Sequence, residues 1–409
     1  MRQILALLVL TSLVSVQAVG EVTNQLSVPA GKTDSLCAIP HHRCDFVTLS
    51  LVDSAYEEPR SFTESKSNSG STATKSEEGV RLIRIGSARF KDATVNNSRP
   101  AYTNGVIGLD DEGIWIAGHA DHFSVGRFEF PGTWSKSNKL SEWPIITNNF
   151  RFRRVNPEPW DDRRQISGIF KKGKDLHISA IKYYDGNGSN KKDHAVIKHN
   201  WSQEGFYKVP FGARAAGWMN KTPEKWIDRV GPYYMGHSAN YPVNSRLSNG
   251  PSLFGWNGEV SGDIKLRRLL DYPIKHILGS NDSEPAPANP LFNELSHVAV
   301  AFIHGDDYIV IGHTEGLRSG ICYKVRGSGG YVTCEANDTY NYYWLYRMDD
   351  ILDAKTPWAP RPYRYGKLDL PHPIDGGAYK DGELYLTSKD QDRVQNRFEP
   401  QPTVHKYRV

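Results

Sequence analysis

Histidine, tyrosine and basic side chains follow short apolar runs at several places along the chain. Clear examples are GIWIAGH, which ends at His119, and KDLHISAIKYY, which ends at Tyr184. Strands that stop at one edge of a fold would bring such residues together. The candidate site residues are His119, His122, Tyr184, His194, Lys198, Arg214 and Tyr241.

The spacing of these residues argues against several kinds of chemistry. His119 and His122 form an HxxH pair, but HExxH metalloprotease chemistry needs a helix and a glutamate base, and this segment has neither. No GxSxG nucleophile motif is present. A glycosidase needs two facing carboxyl groups, and the pattern does not pair Asp185 with the acidic turn at 110–112. A structural or substrate-bridging divalent metal stays open.

The residue set suits β-elimination of a uronate-containing polysaccharide better. A base, histidine or tyrosine, must remove the proton at C5, and an acid must protonate the leaving glycosidic oxygen. A cation or hydrogen-bond donor must also neutralise the neighbouring carboxylate while enolate charge develops. Histidine, tyrosine and arginine or lysine supply these roles, and no cofactor is required. A propeller hydrolase and a non-catalytic glycan-binding propeller are the alternatives.

Short β-strands must position these side chains. The apolar runs alternate with period 2 and are bounded by Gly, Asp or Asn, and no segment follows a helical period. The motifs recur about every 60–75 residues, which indicates blades around an axis. We predict an all-β protein, a β-propeller of five to seven four-stranded antiparallel blades, with its C-terminal strand in a blade that also contains an N-terminal strand. A two-sheet sandwich is the second choice.

The N-terminal residues predict export. Arg2, an apolar run at 4–14 and the small-residue end Val16-Gln17-Ala18 are typical of a signal peptide at 1–18. Residues 19–79 read as an N-terminal segment with one strand at 46–52 and a flexible Ser/Thr/Lys-rich loop at 61–78, and residues 80–409 as the propeller catalytic domain. We therefore expect a secreted protein, extracellular or periplasmic.

The cysteines agree with an oxidising compartment. They fall into two local pairs, which predict the disulfide bonds Cys37–Cys44 and Cys322–Cys334. The formal net charge of +4 is compatible with a polyanionic substrate. We expect an anionic polysaccharide as the partner, neither nucleic acid nor membrane, and a monomeric protein.

Several motifs resemble secreted propeller proteins grouped with the ulvan lyases of polysaccharide lyase family 25. The similarity runs from about Val80 to Val409 and is carried by GIWIAGH with GRFEFP, IKYYDGNGS, IGHTEG, and the closing LDLP, GGAY, GELYL and HKYRV. The resemblance implies a seven-bladed propeller whose canyon binds ulvan, a sulfated rhamnose–uronate polysaccharide. It implies a lyase that leaves unsaturated uronyl ends.

The resemblance also implies residue roles. By motif position, His119, with His122 as a close competitor, and Tyr184 match the catalytic histidine and tyrosine. Either Tyr184 serves as base and acid, or His119 takes the proton at C5 and Tyr184 protonates the leaving oxygen. Arg214 is the first choice for the cationic partner, and Lys198 and His199 compete for that place.

Overall fold

The computed structural model describes residues 81–409 apart from 93, 95–97, 156–163, 183–192, 238–249, 274–275, 277–278, 281–290, 294, 324–330, 371 and 396–398. The predicted strand at 46–52, the loop at 61–78 and the Cys37–Cys44 bond lie outside the described residues, as do Tyr184 and Tyr241.

The described chain forms five sheets of four or five strands, which we call blades 1 to 5, and two smaller two-stranded ladders. It begins with β1 (Ile83–Phe90). Blade 1 contains β2 (Ile107–Leu109), β3 (Gly113–Ala117), β4 (Ser124–Glu129) and, after the short β5 (Ile145–Ile146), β6 (Asn148–Arg154). Blade 2 contains β7 (Arg164–Lys172), β8 (Asp175–Lys182), β9 (His194–Ile197) and β10 (Gln203–Tyr207).

The remaining blades carry the short helices and two small extra ladders. Blade 3 contains β11 (Met219–Lys221), then helix α1 (Ile227–Val230), β12 (Tyr233–Met235), β13 (Ser252–Trp256) and β14 (Leu266–Asp271). The two-stranded ladder of β15 (Gly279–Ser280) and β16 (Phe292–Asn293) follows. Blade 4 contains β17 (His297–His304), β18 (Asp307–Glu315), β21 (Thr339–Arg347) and β22 (Arg364–Lys367), with β19 (Ile321–Tyr323) and β20 (Tyr331–Thr333) as a hairpin and α2 (Met348–Leu352) after β21. Blade 5 contains β23 (Gly376–Lys380), β24 (Glu383–Asp392) and β25 (Gln401–Arg408), together with β1 and the short β5, which pairs parallel with β1.

The two ends of the described chain close the ring. Strand β25 pairs antiparallel with β1, with Ile83 opposite Arg408 and Arg89 opposite Thr403, so blade 5 combines C-terminal and N-terminal strands. This confirms the predicted closure, which removes the free edge that β25 would otherwise expose.

The all-β propeller with four-stranded blades is confirmed, and the number of blades in the described residues is five. This number lies within the predicted range but differs from the seven that the resemblance implies. There are five blades rather than seven because each blade takes up a long stretch of chain. The strand motifs recur only about every 60–75 residues. Residues 81–409 therefore hold five such units.

The first strand of each blade lines the central axis, and these inner strands run parallel to one another. Ser167 Oγ donates to the Ala216 carbonyl at 2.5 Å, and Asn220 Nδ2 donates to the Ala301 carbonyl at 2.8 Å. Gly168 is required on β7 because a Cβ there would overlap the Gly217 carbonyl. We call the end where the inner strands begin the upper mouth, and the end where they finish, at Leu109, Lys172, Lys221, His304 and Lys380, the lower mouth.

Apolar side chains fill the spaces between blades. Between blades 3 and 4, Tyr234, Tyr308 and Trp344 are fully buried. The Tyr308 hydroxyl donates to the Ser252 carbonyl at 2.6 Å, and the Tyr234 hydroxyl accepts from the Ile303 amide at 2.8 Å. Buried tyrosines need such partners, so these bonds lock neighbouring blades in register.

The second predicted disulfide is present. Cys322 and Cys334 are bonded with their Cα atoms 5.0 Å apart, and the bond staples the β19–β20 hairpin. No helix among the described residues is both long and apolar enough to cross a membrane.

Candidate functional site

The upper mouth carries a cluster of three aromatic side chains, which we call the histidine cluster: Tyr102, His119 and His122. Where β3 ends, residues Ala120–His122 form a single 3₁₀ turn. The rings of His119 and His122 stack with centroids 4.5 Å apart, and the Tyr102 ring meets His119 edge-on at 5.2 Å. His122 is exposed, and Tyr102 is 48% exposed. All three side chains therefore meet at the protein surface.

Tyr102 is a residue that the sequence patterns do not single out. It belongs to the loop before β2 rather than to a strand end. The Ala120 amide donates to the Tyr102 carbonyl at 3.1 Å, and Thr103 forms an isolated antiparallel β-bridge with His119. These backbone contacts hold the loop against the turn after β3. Tyr102 has φ of 56°, a conformation uncommon for a residue with a side chain. A large exposed ring held in a strained conformation is a feature of functional sites.

Hydrogen bonding defines the proton arrangement on His119. Its Nδ1 accepts from the Asp121 amide at 3.2 Å. A neutral imidazole that accepts at Nδ1 carries its proton on Nε2. Burial, followed by the nearby charge of His122, lowers the pKa of His119, while Asp121 acts in the opposite direction. At neutral pH the side chain is thus a neutral donor through Nε2, and its acceptor nitrogen is occupied.

A cation lies beside this cluster. Arg99 forms an ion pair with Glu399, and the two side chains are 24% and 25% exposed. The charge of Arg99 contributes to the lowered pKa of His119. No sequence pattern indicates Arg99 because, like Tyr102, it lies in the loop before β2, outside the recurring strand motifs.

Arg214 has a structural environment, which corrects its prediction as a substrate ligand. Its guanidinium is buried, with Nε donating to Asp271 at 2.7 Å and Nη1 to the Gly250 carbonyl at 2.8 Å. Nη2 donates to the Pro251 carbonyl at 3.2 Å. All three nitrogens thus bind protein groups, so we assign Arg214 to the core.

His194 and Lys198 are also displaced from the predicted site. The side chain of His194 is fully buried, and its Nε2 lies 2.9 Å from Nδ1 of His177. Burial lowers the pKa of His194 well below its usual value, so it is a neutral core residue that a surface polymer does not reach. Lys198 follows the end of β9 and pairs with Asp175 at 2.9 Å, at the start of β8. That start lies at the end of blade 2 opposite the upper mouth.

A second group of titratable side chains lies at the upper mouth near the axis. His313 stacks on His297 with centroids 4.2 Å apart, and its Nδ1 lies 2.9 Å from the Ile374 carbonyl. His313 Nε2 lies 3.8 Å from Glu315, whose pKa is raised by burial. Asp375, which follows Ile374 in the sequence, forms an ion pair with Lys389 at 3.1 Å. A carboxyl group with raised pKa and a second carboxylate thus occur at the same mouth.

Of the predicted residues, the structure brings His119 and His122 together. Tyr184 and Tyr241 lie outside the described residues, so their placement stays a prediction. Across the described ranges, no group of three or more His, Cys, Asp or Glu residues is arranged to hold a metal ion. The sequence-based expectation of a structural metal stays open.

Comparisons with known proteins add little beyond the fold. No protein-family model matches the chain, and no curated protein matches it. Similar solved structures include a luciferin-regenerating enzyme (TM-score 0.35, 8% identity, 77% of this chain and 92% of that chain). They also include an α-L-arabinanase of Cellvibrio cellulosa complexed with arabinohexaose (TM-score 0.39, 10% identity, 77% and 92%) and a GH43_1 enzyme of Xanthomonas citri complexed with xylose (TM-score 0.37, 12% identity, 76% and 90%). The proteins in these structures have different functions, and the low TM-scores carry no argument about the activity of this chain.

Proposed function

We propose that the protein is a secreted lyase that cleaves ulvan, a uronate-containing sulfated polysaccharide, by β-elimination at the histidine cluster. The observation that carries this proposal is one exposed surface on which a neutral imidazole, a second imidazole and a tyrosine meet beside Arg99. These are the groups that removal of a proton next to a carboxylate requires. The choice of ulvan comes from the motif resemblance.

His119 and Arg99 neutralise the uronate carboxylate in this mechanism. The Nδ1 atom of His119 is occupied by the Asp121 amide, so His119 acts through its Nε2–H as a donor rather than as the base. Arg99 adds a positive charge at the same surface, and its ion pair with Glu399 neutralises part of that charge. Together they stabilise the negative charge that builds up on the carboxylate oxygens as the C5–H bond breaks.

His122 and Tyr102 transfer the protons. The His122 imidazole takes the proton from C5, and the electrons of that bond form the C4–C5 double bond. The bond between C4 and the glycosidic oxygen breaks, and the Tyr102 hydroxyl protonates the departing oxygen. Solvent then returns a proton to Tyr102 and removes one from His122. Tyr184, which the resemblance names, competes with Tyr102 for the acid role.

Digestion of ulvan, followed by absorbance near 235 nm, tests the activity. We expect unsaturated uronyl ends from the wild type, and a decrease in rate of about 10²–10⁴-fold for His122→Gln, because the general base is lost. Tyr102→Phe and Tyr184→Phe identify the acid, since removing the hydroxyl of the true acid causes a loss of similar size. The matched control is His199→Gln: this histidine is exposed and, like Lys198, follows β9 at the end of blade 2 opposite the histidine cluster, so it is not the cationic partner there. Near-normal rates in both His122→Gln and His119→Gln would show that the site is wrong.

A hydrolase is the second candidate, and the axial carboxyl groups favour it. Glu315, with its raised pKa, is suited to act as a general acid, and Asp375, which pairs with Lys389, is the second carboxyl group that a glycosidase requires. The same digest separates the two activities, because hydrolysis forms reducing ends without absorbance near 235 nm. In that case Glu315→Gln would abolish cleavage. Retention of the polymer without cleavage would indicate a binding protein.

A further inference from the structure

The central channel contains a cavity that the proposed lyase site does not use. It has a volume of about 860 Å³ and opens at the lower mouth, away from the histidine cluster. All five inner strands contribute to its lining, at positions that include Leu109, Lys172, Asn220, His304 and Tyr379. A cavity of this size is in the range that holds a drug-sized or oligosaccharide ligand.

Basic side chains dominate the charge of this cavity. The lining contains four lysines, against the carboxylates of Glu224 and Asp381; the lysines are Lys171, Lys172, Lys221 and Lys380. Like charges converging on a concave surface attract an oppositely charged ligand more strongly than the same charges spread over a flat surface.

The direct contacts of these lysines compensate their positive charge only in part. Lys171 donates to the Lys174 carbonyl and Lys172 to the Gly258 carbonyl, both neutral groups. Lys380 pairs with Asp111, whose side chain is 92% exposed, so this contact is weak. Lys171 lies near Asp110 and Asp175, whose charges partly oppose the effect of burial on its pKa.

We infer that the lower mouth binds a sulfated oligosaccharide. The lysines bind its sulfate groups as point charges, and the cavity of about 860 Å³ has room for its sugar rings. Burial, which lowers the pKa of Lys171, places that ammonium in surroundings where electrostatic contacts are stronger than in water. This site is independent of the lyase chemistry and lies at the other end of the channel.

Calorimetric titration with sucrose octasulfate, with unsulfated sucrose as the comparator, tests the inference. We expect the wild type to bind the sulfated sugar with an affinity that decreases as salt concentration rises, and not to bind sucrose. Lys171→Gln and Lys221→Gln should each weaken binding about tenfold, because one charge contact is lost. The control is Lys139→Gln, a lysine with a 78% exposed side chain outside the cavity, which should leave the affinity unchanged.

His119→Gln keeps this inference distinct from the proposed lyase function. Under the inference it leaves the affinity for sucrose octasulfate unchanged within about twofold, whatever it does to cleavage. Loss of binding in His119→Gln, unchanged affinity in the lysine variants, or no binding by the wild type would each overturn the inference. Melting temperatures of all variants check that the lysine substitutions leave the fold intact.

Discussion

Replacing Arg214 by alanine distinguishes a core residue from a substrate ligand. In the structure the substitution removes a guanidinium that is buried against Asp271 and two backbone carbonyls. The Asp271 carboxylate, whose side chain is 6% exposed, then retains Arg268 at 2.6 Å as its remaining ion-pair partner. If Arg214 instead faced substrate, as its sequence position suggested, the fold would not depend on it.

The expected loss of stability follows from these contacts. Removing one partner of a buried ion pair costs about 3–5 kcal/mol, and the cost here lies toward the lower end because Arg268 still pairs with Asp271. A propeller of about 330 residues has an unfolding entropy near 0.7 kcal/mol/K, so this cost lowers the melting temperature by about 4–7 °C. Arg268→Ala is the matched control: its side chain is 34% exposed, so the loss should be about 1 kcal/mol or less.

Differential scanning calorimetry measures this effect, and ulvan cleavage at 20 °C, well below the transition, measures function. We expect Arg214→Ala to melt earlier while its rate per folded molecule stays within a factor of about two of the wild type. A melting temperature within about 1 °C of the wild type, together with a large rise in KM or loss of cleavage, would refute the core assignment. It would restore Arg214 as the residue that binds the uronate carboxylate.

Three further predictions concern single residues. NMR titration should show that His119 has a pKa below 6.5 and a proton on Nε2 when neutral, and that His122→Ala raises this pKa by removing a nearby charge; a proton on Nδ1 would contradict its role as a donor. Burial lowers the pKa of His177 to about 4, below its usual value of 6.5, so the unfolded state binds more protons between these values. Melting temperatures should therefore fall as pH decreases from 6.5 to 4, and less steeply in His177→Gln; equal slopes would argue against this contribution. Gly168→Ala should destabilise the fold by about 1–3 kcal/mol in denaturant unfolding, because the new Cβ overlaps the Gly217 carbonyl, whereas Gly132→Ala, with open space around it, should be neutral.

The strands and their closure into a ring could be predicted from the sequence. Runs such as GIWIA in β3 and DYIVIGHTE in β18 are short β-branched and aromatic stretches bounded by turn residues, so local pattern indicates that they are strands. The Cys322–Cys334 bond could also be predicted, because cysteines separated by 12 positions meet easily and the N-terminal residues led us to expect an oxidising compartment. Strand ends likewise indicated His119 and His122, since a side chain at a strand end reaches the mouth that its blade faces.

The number of blades and the partners of each charge depended on the tertiary structure. Both Arg214 and Lys198 follow the recurring motifs, yet one is buried against Asp271, 57 residues away, and the other lies at the opposite end of its blade. Tyr102 has no periodic signal, and it joins His119 only because the loop before β2 packs against the turn after β3. The period of the apolar residues specifies whether a segment forms a strand or a helix, because that preference is local. The ion-pair partner of each charged residue, and the cavity that a lysine lines, depend on contacts between segments that are distant in the sequence. These contacts form only when the blades pack around the axis.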